Sequence, residues 1–412
     1  MMSKTSLLLF CALLPPAIFF FLIITLGVNI PQQDDFDSIF HYLLLSRDSL
    51  TSGLGDIHVS HRLVLTRLLA LSSTALFGTL QLKLLMIVAG LALVACLLPL
   101  YHNFTAKPSR SYLLAVASLL IFSLFDWSNM LWATAGTQNY VGLFVALLAF
   151  NLFQRESTFS TAIALLLACI APYIHSNGLL LLPLLLCWQL VCKRTPRSGH
   201  LIRPALIALL TALSVLIYFT AYSDKFDFGS SGNLVAVLLS FLVALAGYLH
   251  FSVLALIAGI CIVSYCAYLT FTFYHRRNPF IYFSVCYLLL SLALVAFFRG
   301  GEGLTTVIAS RYQLFTTMLL ALLVCSFFEL ELDRKLPIPR VREIVLGACA
   351  LFYLTSFYYL GNLTAERERI VAGVTHWQAT GSASGLYHPE PERVAVILNQ
   401  AIAAGLYRIP VE

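Results

Sequence analysis

Apolar runs of about 20 residues, the length that a transmembrane helix needs, make up most of this chain. About eleven such runs are separated by short polar connectors. They lie at approximately 6–29, 80–101, 111–126, 137–153, 158–174, 178–192, 203–222, 251–273, 280–298, 312–331 and 342–360. The pattern predicts an all-α polytopic membrane protein with about eleven transmembrane helices.

The charges of the connectors predict the orientation. With the N-terminus in the cytoplasm, most of the Lys and Arg residues fall in short inner connectors, as the positive-inside rule requires. Two further apolar runs, 61–78 and 233–250, would break this pattern if they crossed the membrane. We therefore expect them to be helices that lie on the outer interface.

The outer face is then expected to hold a long first loop at 30–79 and a polar C-terminal stretch at 361–412. The polarity of residues 361–412 predicts a small, partly helical periplasmic domain, which follows a transmembrane domain at 1–360. We expect helices at 366–376 and 392–404, with a break at His388-Pro389-Glu390-Pro391 between them.

The composition agrees with the hydropathy pattern. Of the 412 residues, 60% are hydrophobic and only 11% are charged, against roughly 25% charged in a soluble domain. All ten cysteines lie within apolar runs and none has metal-ligand spacing, so neither disulfides nor a zinc site is expected. Nothing in the composition predicts a nucleic-acid partner.

The most unusual polar feature is an acidic cluster, Asp34, Asp35 and Asp37, directly after the first apolar run. Like charges crowded at a membrane surface repel one another, and their desolvation is costly. A carboxylate at the mouth of an apolar cavity can act as a general base on an attacking hydroxyl. The alternative is the capping of a helix N-terminus. We place the base at Asp35, with Asp34 second, and expect Asp37 to cap a helix or contact sugar.

Basic side chains follow at predicted outer positions. His61 and Arg62 end the first loop, and Arg311 begins a later span. The rigid fork of arginine matches phosphate, so these three residues are candidates for binding a donor phosphate. The alternative is an arginine that extends along the helix to the interface. We expect Arg67 to contribute packing.

Aromatic and amide side chains occupy the other short outer loops. Such residues can form a platform on which sugar rings stack and to which sugar hydroxyls hydrogen-bond, whereas Trp and Tyr at this depth also form ordinary interfacial belts. The candidates for sugar or acceptor binding are Trp127, Asn129, Trp132, Gln138, His175, Asn177 and Tyr312.

Taken together, these residues resemble the GT-C superfamily of membrane glycosyltransferases, in particular a bacterial branch similar in layout to serotype-converting O-antigen glucosyltransferases. The motifs are Asp34-Asp35-Phe36-Asp37, His61-Arg62, Trp127-Ser128-Asn129-Met130-Leu131-Trp132, Ser176-Asn177-Gly178, Ser310-Arg311-Tyr312 and Tyr387-His388-Pro389-Glu390-Pro391. One departure is Ser60, where the branch carries Glu before His-Arg.

The resemblance implies a transferase of a bacterial inner membrane with its active site on the periplasmic face. The donor would be an undecaprenyl-type polyprenyl-phosphate sugar, and the acceptor a glycan, a lipid such as lipopolysaccharide, or a protein. The need for a divalent metal, Mg or Mn, stays open, and no other cofactor is expected. Two other interpretations are a flippase or transporter of lipid-linked sugars and a non-catalytic membrane partner of a glycosyltransferase.

Overall fold

The computed structural model describes residues 4–59, 61–104, 110–192, 202–220, 234–250, 252–333 and 339–410. These residues are almost entirely helical, which confirms the predicted all-α class, and their only sheet is a two-residue hairpin, β1 (Ile57–His58) and β2 (His61–Arg62). The departure at Ser60 lies outside the described residues.

The helices follow one another along the chain with short connections. They are α1 (Lys4–Leu26), α2 (Phe36–Leu45), α3 (Val64–Phe77), α4 (Leu82–Asn103), α5 (Arg110–Ile121), α6 (Trp127–Met130), α7 (Ala133–Gln154), α8 (Thr158–Ile170), α9 (Leu181–Cys192), α10 (Ile202–Phe219), α11 (Leu234–Ala244), α12 (Ser252–Phe271), α13 (Tyr274–Arg277), α14 (Pro279–Arg299), α15 (Leu304–Val307), α16 (Ser310–Asp333), α17 (Pro339–Ser356), α18 (Leu360–Thr380) and α19 (Pro391–Ala403). Short 3₁₀ turns extend several of them, at Leu124–Asp126, Ala171–Tyr173, Ser176–Leu180, Gly247–Leu249, Gly300–Glu302, Phe357–Tyr359 and Ala383–Gly385.

Nine helical segments of the described residues are long and apolar enough to cross a membrane. They are α1, α4, α5 with α6, α7, α10, α12, α14, α16, and α17 with α18. This defines a multi-pass membrane protein. The predicted spans at 158–174 and 178–192 form shorter apolar helices, α8 and α9 with their 3₁₀ turns. The two runs assigned to the interface, α3 and α11, are also shorter than a span.

Close packing at Gly136 brings α6 and α4 against the first turn of α7. A Cβ atom on Gly136 would lie 2.9 Å from the carbonyl oxygen of Asn129 and 3.3 Å from Cβ of Ala89 on α4. A side chain at this position would therefore push α6 and α4 away from α7. Glycine allows backbones to approach in this way within a membrane bundle.

The first loop makes a sharp turn before α2. Gln33 adopts a left-handed backbone conformation with φ of 48°, which is uncommon for a residue other than glycine. Such positions persist where surrounding contacts hold them, and the backbone N–H of Gln33 donates to the carbonyl oxygen of Tyr387 at 2.8 Å. The C-terminal stretch thus holds the turn that precedes the acidic cluster.

The C-terminal stretch contains helices over both predicted regions, α18 and α19. It packs directly on the first loop instead of standing apart from it. The ring of Tyr407 contacts that of Phe40 with centroids 5.1 Å apart, and its hydroxyl donates to the carbonyl oxygen of Asn29. The N–H of Leu80 donates to the carbonyl oxygen of Leu406. The first loop and the C-terminal stretch therefore lie at the same end of the bundle.

Candidate active site

The three clustered aspartates have three different environments, although they lie within four positions of one another. Asp35 is fully buried. Its Oδ1 accepts hydrogen bonds from the backbone N–H of Thr134 at 2.9 Å and from the Thr134 hydroxyl at 2.6 Å. Its Oδ2 accepts one from the backbone N–H of Gln32 at 3.2 Å. Asp35 therefore caps the N-terminus of α7 from a distant part of the chain.

Burial raises the pKa of Asp35 to about 7, although its hydrogen bonds to Thr134 and Gln32 act in the opposite direction. A pKa near neutrality is suitable for a general base. However, both carboxylate oxygens are engaged and no part of the side chain is exposed. Asp35 was expected to turn toward an open cavity, and the structure instead gives it a helix-capping position.

Asp37 is paired with the C-terminal stretch. Arg393 donates two hydrogen bonds to it, and Nε2 of His388 lies 3.2 Å from its Oδ2. Burial raises the pKa of Asp37, but the hydrogen bonds and charge of Arg393, together with His388, outweigh burial and hold it below its ordinary value. Asp37 therefore acts as an ionised anchor for the C-terminal stretch.

Asp34 is the open member of the cluster. Its side chain is 38% exposed, and its Oδ1 lies 3.3 Å from Nε2 of His58 in β1. The hairpin pairs His58 with His61, so the first loop brings both histidines to the acidic cluster. Asp34 is thus the aspartate of the cluster that a hydroxyl could approach.

A second pair of imidazoles adjoins this site. The rings of His61 and His175 lie with centroids 5.0 Å apart. Burial lowers the pKa of His61 to about 3, helped by the charges of His175, His58 and Arg299, while the charge of Asp34 opposes the shift. Burial lowers the pKa of His175 to about 4. Both rings are therefore neutral at physiological pH.

The tautomer of His175 follows from its surroundings. The backbone N–H of Asn177 donates to Nδ1 of His175 at 3.1 Å, so this nitrogen carries no proton and Nε2 does. Asn177 itself is buried. The predicted Ser176-Asn177-Gly178 motif thus fixes His175 as a hydrogen-bond donor through Nε2.

The arginines near the site differ in whether their guanidinium groups are occupied by carbonyl oxygens of the protein. Arg62 donates through Nε to the carbonyl oxygen of Tyr218, through Nη1 to that of Gly55, and through Nη2 to that of Thr220. It therefore binds carbonyl oxygens at the end of α10, where cations are favoured, instead of facing an open phosphate site. Arg67 likewise donates to the carbonyl oxygens of Ser38, Leu54 and Asp56.

Arg311 and Arg299 are placed differently. Arg311 lies over the ring of Tyr312, and its buried Nε has no hydrogen-bond partner among the described residues. Arg299, at the end of α14, pairs with Glu302 at 2.7 Å and hydrogen-bonds to Tyr312. Tyr312 therefore joins two guanidinium groups, one of which also acts electrostatically on His61.

The α6 turn connects this cationic group to α7. Asn129 is buried, donates to the carbonyl oxygen of Arg311 at 3.0 Å and accepts from Asn139 on α7. Ser310 donates to Ser128 at 2.7 Å. Nε1 of Trp132 is buried and has no hydrogen-bond partner among the described residues. Trp132 and Arg311 therefore both offer a donor to a bound ligand.

The other two candidates of this region lie on the same elements. Trp127 begins α6 and is partly buried, and Gln138 is buried on α7 one turn after Thr134. Trp127 and Gln138 therefore flank the site from α6 and α7.

Sequence reasoning missed several residues of this region. Arg299, Thr134 and Arg393 belong to none of the sequence motifs. His58 differs from them, because it lies in the same loop as the acidic cluster and shortly before the His61-Arg62 pair. Arg299 had one signal, its position at the end of an apolar run directly before Gly300 and Gly301. Thr134 and Arg393 had none, because their partners are about a hundred or several hundred residues away.

Among the described ranges, no group of three or more His, Cys, Asp or Glu side chains is arranged to hold a metal ion. Asp34 and His58 place two potential metal ligands side by side. Neither a protein-family model, nor a curated protein, nor a solved structure matches the chain.

Proposed function

We propose that this protein is a membrane glycosyltransferase that moves a sugar from a polyprenyl-phosphate donor to a hydroxyl of a glycan, lipid or protein acceptor. Asp34 is the general base, and Arg299 and Arg311 bind the donor phosphate. The proposal builds on the resemblance of the motifs to the GT-C superfamily. It moves the base from Asp35 to its neighbour, keeps Arg311 as a phosphate contact, and replaces Arg62 with Arg299.

One observation carries the proposal: an exposed carboxylate lies on a loop that hydrogen-bonds to the connection between α6 and α7, and this connection carries a buried donor without a partner among the described residues. Asp34 is accessible, while Nε1 of Trp132 and Nε of Arg311 are buried without a partner among the described residues. Leaving such donors unsatisfied costs about 1–3 kcal/mol each. A ligand rich in oxygen atoms, such as a sugar phosphate, would satisfy them.

The chemical step needs a base and a site for the departing anion. The acceptor hydroxyl attacks the anomeric carbon, and its proton passes to the carboxylate of Asp34. The bond between the anomeric carbon and the phosphate oxygen breaks, and polyprenyl phosphate leaves as a stable anion, so no general acid is required. Guanidinium groups positioned where this charge develops stabilise the transition state.

The surrounding residues support these roles. His58, 3.3 Å from Asp34, is positioned to orient the base. The neutral His175 offers its Nε2–H to a sugar or acceptor oxygen. Asp35 caps α7 and Asp37 anchors the C-terminal stretch, so both act by positioning the loop that carries Asp34.

The proposal includes a topology. We place α8 and α9 within the membrane, which gives eleven spans, with the N-terminus cytoplasmic and the C-terminal stretch periplasmic in a bacterial inner membrane. The acidic cluster and the C-terminal stretch then share the periplasmic side, in agreement with their direct contacts.

The test is sugar transfer by the purified protein in lipid vesicles. Radiolabelled polyprenyl-phosphate hexoses serve as donors, and a glycolipid extract of bacterial envelopes supplies acceptors. Loss of a general base typically slows a reaction about 10²–10⁴-fold, so Asp34→Asn should lower transfer by this factor. The matched control is Asp48→Asn, which changes an exposed aspartate of the same loop.

Two results would reject the proposal. Wild-type rates in the Asp34→Asn variant would remove this loop from the chemistry. Movement of the labelled donor across the vesicle membrane without sugar transfer, in wild type and variant alike, would favour the transporter interpretation.

A further inference from the structure

The connector between α14 and α16 carries one acidic side chain among glycines, in Gly300-Gly301-Glu302-Gly303. Both ends of this connector pack against the bundle. A Cβ atom on Gly300 would lie 3.0 Å from Oγ of Ser240 on α11, and Val307 is buried. Between these two ends, residues 301–305 are exposed. The connector is therefore a turn that is fixed at its ends and exposed in its middle.

The backbone beside Glu302 has a conformation that suits a loosely packed turn. Gly303 has φ of 110° and ψ of 163°, which residues other than glycine rarely adopt. Apart from its chain neighbours, no heavy atom of the described residues lies within 4 Å of the position that its Cβ would take. Glu302 can therefore move without disturbing the packing of α14 or α16.

Glu302 is paired with the arginine that ends α14. Nη1 of Arg299 donates to Oε1 of Glu302 at 2.7 Å. The two side chains are 38% exposed in Arg299 and 49% exposed in Glu302. An exposed ion pair of this kind contributes little to stability, because water solvates both charges when they separate. An anion with more charge or more acceptor oxygens can therefore replace Glu302.

The guanidinium of Arg299 also belongs to the proposed donor site. It hydrogen-bonds to Tyr312, over whose ring the guanidinium of Arg311 lies, and its charge acts on His61. Phosphate oxygens match guanidinium groups in both charge and geometry. A phosphate held by these two arginines therefore lies where Arg299 also binds Glu302.

We propose that Glu302 competes with the phosphate for Arg299 and thereby promotes release of the departing polyprenyl phosphate. This inference rests on the proposed function. The donor is a phosphodiester with one negative charge, whereas the departing monoester carries a charge of about −1.5 to −2 at pH 7. Two guanidinium groups alone would therefore hold the product more tightly than the donor. The carboxylate of Glu302 opposes this difference, because it repels the more highly charged product more strongly.

The experiment measures phosphate binding and sugar transfer by the full-length protein in phosphatidylcholine nanodiscs. Glu302→Gln removes the charge but keeps the shape of the side chain and an acceptor oxygen for Arg299. We expect the dissociation constant of radiolabelled undecaprenyl phosphate to fall about fivefold, the upper range for the loss of an exposed ion pair. The KM for the donor should fall by a smaller factor, so product inhibition should become stronger.

Two further variants assign the effect to the pair. Glu368→Gln removes an exposed charge on α18 and should leave the dissociation constant of undecaprenyl phosphate unchanged. In an Arg299→Gln background, Glu302→Gln should change this constant by less than about twofold, because Arg299 then no longer draws the carboxylate to the position of the phosphate.

Three outcomes would overturn the inference. Equal dissociation constants in wild type and Glu302→Gln, together with sugar transfer that depends on Asp34, would reject the competition and leave the proposed function intact. Weaker binding in Glu302→Gln would show that Glu302 positions Arg299 for the phosphate. Absence of both binding and transfer in wild type would reject the proposed function, and this inference with it.

Discussion

The guanidinium of Arg393 donates two parallel hydrogen bonds to the carboxylate of Asp37, at 2.7 and 2.8 Å, although the two residues are 356 positions apart. Two-pronged pairs of this kind combine charge with a fixed geometry. Asp37 lies three residues after Asp34. The C-terminal stretch therefore holds the loop that carries the proposed base.

This ion pair can be measured with a double-mutant cycle. Arg393 is about half exposed, so we expect a coupling free energy of about 0.5–1 kcal/mol between Asp37→Ala and Arg393→Ala, the upper range for an exposed pair. Equilibrium unfolding in mixed micelles provides the measurement. Arg408→Ala, at an exposed arginine of the same stretch, is the control. A coupling of zero would show that the pair does not hold the loop.

Asp35 should behave as a structural residue. Asp35→Asn places an amide N–H group against the N–H of Gln32 or Thr134, because the amide has only one acceptor oxygen. We expect a loss of about 1–3 kcal/mol in the free energy of unfolding. Thr134→Val should cause a similar loss, since it removes the hydroxyl partner of the same carboxylate. If Asp35→Asn keeps full stability and loses all transfer, the base is Asp35 and not Asp34.

The donor phosphate contacts predict an effect on binding. Arg311→Ala should raise the KM for the donor more than Arg311→Lys, because lysine keeps the charge but not the two-pronged geometry. A lost charged hydrogen bond is worth about 1.5–3 kcal/mol, which corresponds to a tenfold to hundredfold change. Arg299→Gln should act in the same direction, and Arg62→Gln should lower stability instead. Wild-type KM values in both Arg311 variants would assign this arginine to membrane anchoring.

The paired histidines predict a pH dependence of stability. Both have folded-state pKa values, about 3 for His61 and about 4 for His175, below the unfolded value of 6.5. Between pH 6.5 and about 4 the unfolded chain therefore binds protons that the folded protein does not, and the free energy of unfolding falls as the pH falls. Asp35, whose pKa is raised from 3.8 to about 7 by folding, acts in the opposite direction across this whole range, because there the folded protein binds a proton that the unfolded chain does not.

Comparison of variants separates these contributions. His175→Gln should make the fall in stability between pH 6.5 and 4 shallower, while His376→Gln, at an exposed histidine of α18, should leave it unchanged. Thermal unfolding in detergent at several pH values gives the slopes. Identical slopes in wild type and His175→Gln would mean that this imidazole is not held neutral by the fold.

The proposed topology can be tested with single cysteines in a background without the ten native ones. Ser382→Cys, in the C-terminal stretch, should react with a membrane-impermeant reagent added from outside. Ser198→Cys, in the predicted inner connector at 193–203, should not; Ser198 lies outside the described residues. The reverse pattern of labelling would invert the orientation and move the acidic cluster to the cytoplasm.

The sequence by itself determined the helical class and most of the segments that can cross a membrane, because apolar length is a local property of the chain. Nine of the predicted spans correspond to long apolar helices, from α1 to the combined α17 and α18. It also located the acidic cluster, the His61-Arg62 pair and the Ser310-Arg311-Tyr312 motif, since their residue types are rare in so apolar a chain.

Only the tertiary structure decided which of these groups is exposed. Asp34 and Asp35 are neighbours with the same chemistry, yet Asp35 is buried because Thr134, 99 positions away, donates to it. Arg62 and Arg311 both looked suitable for phosphate, but the carbonyl oxygens of α10 engage Arg62 alone. The desolvation and hydrogen bonding of a side chain depend on residues that are distant in sequence, and no local pattern encodes them.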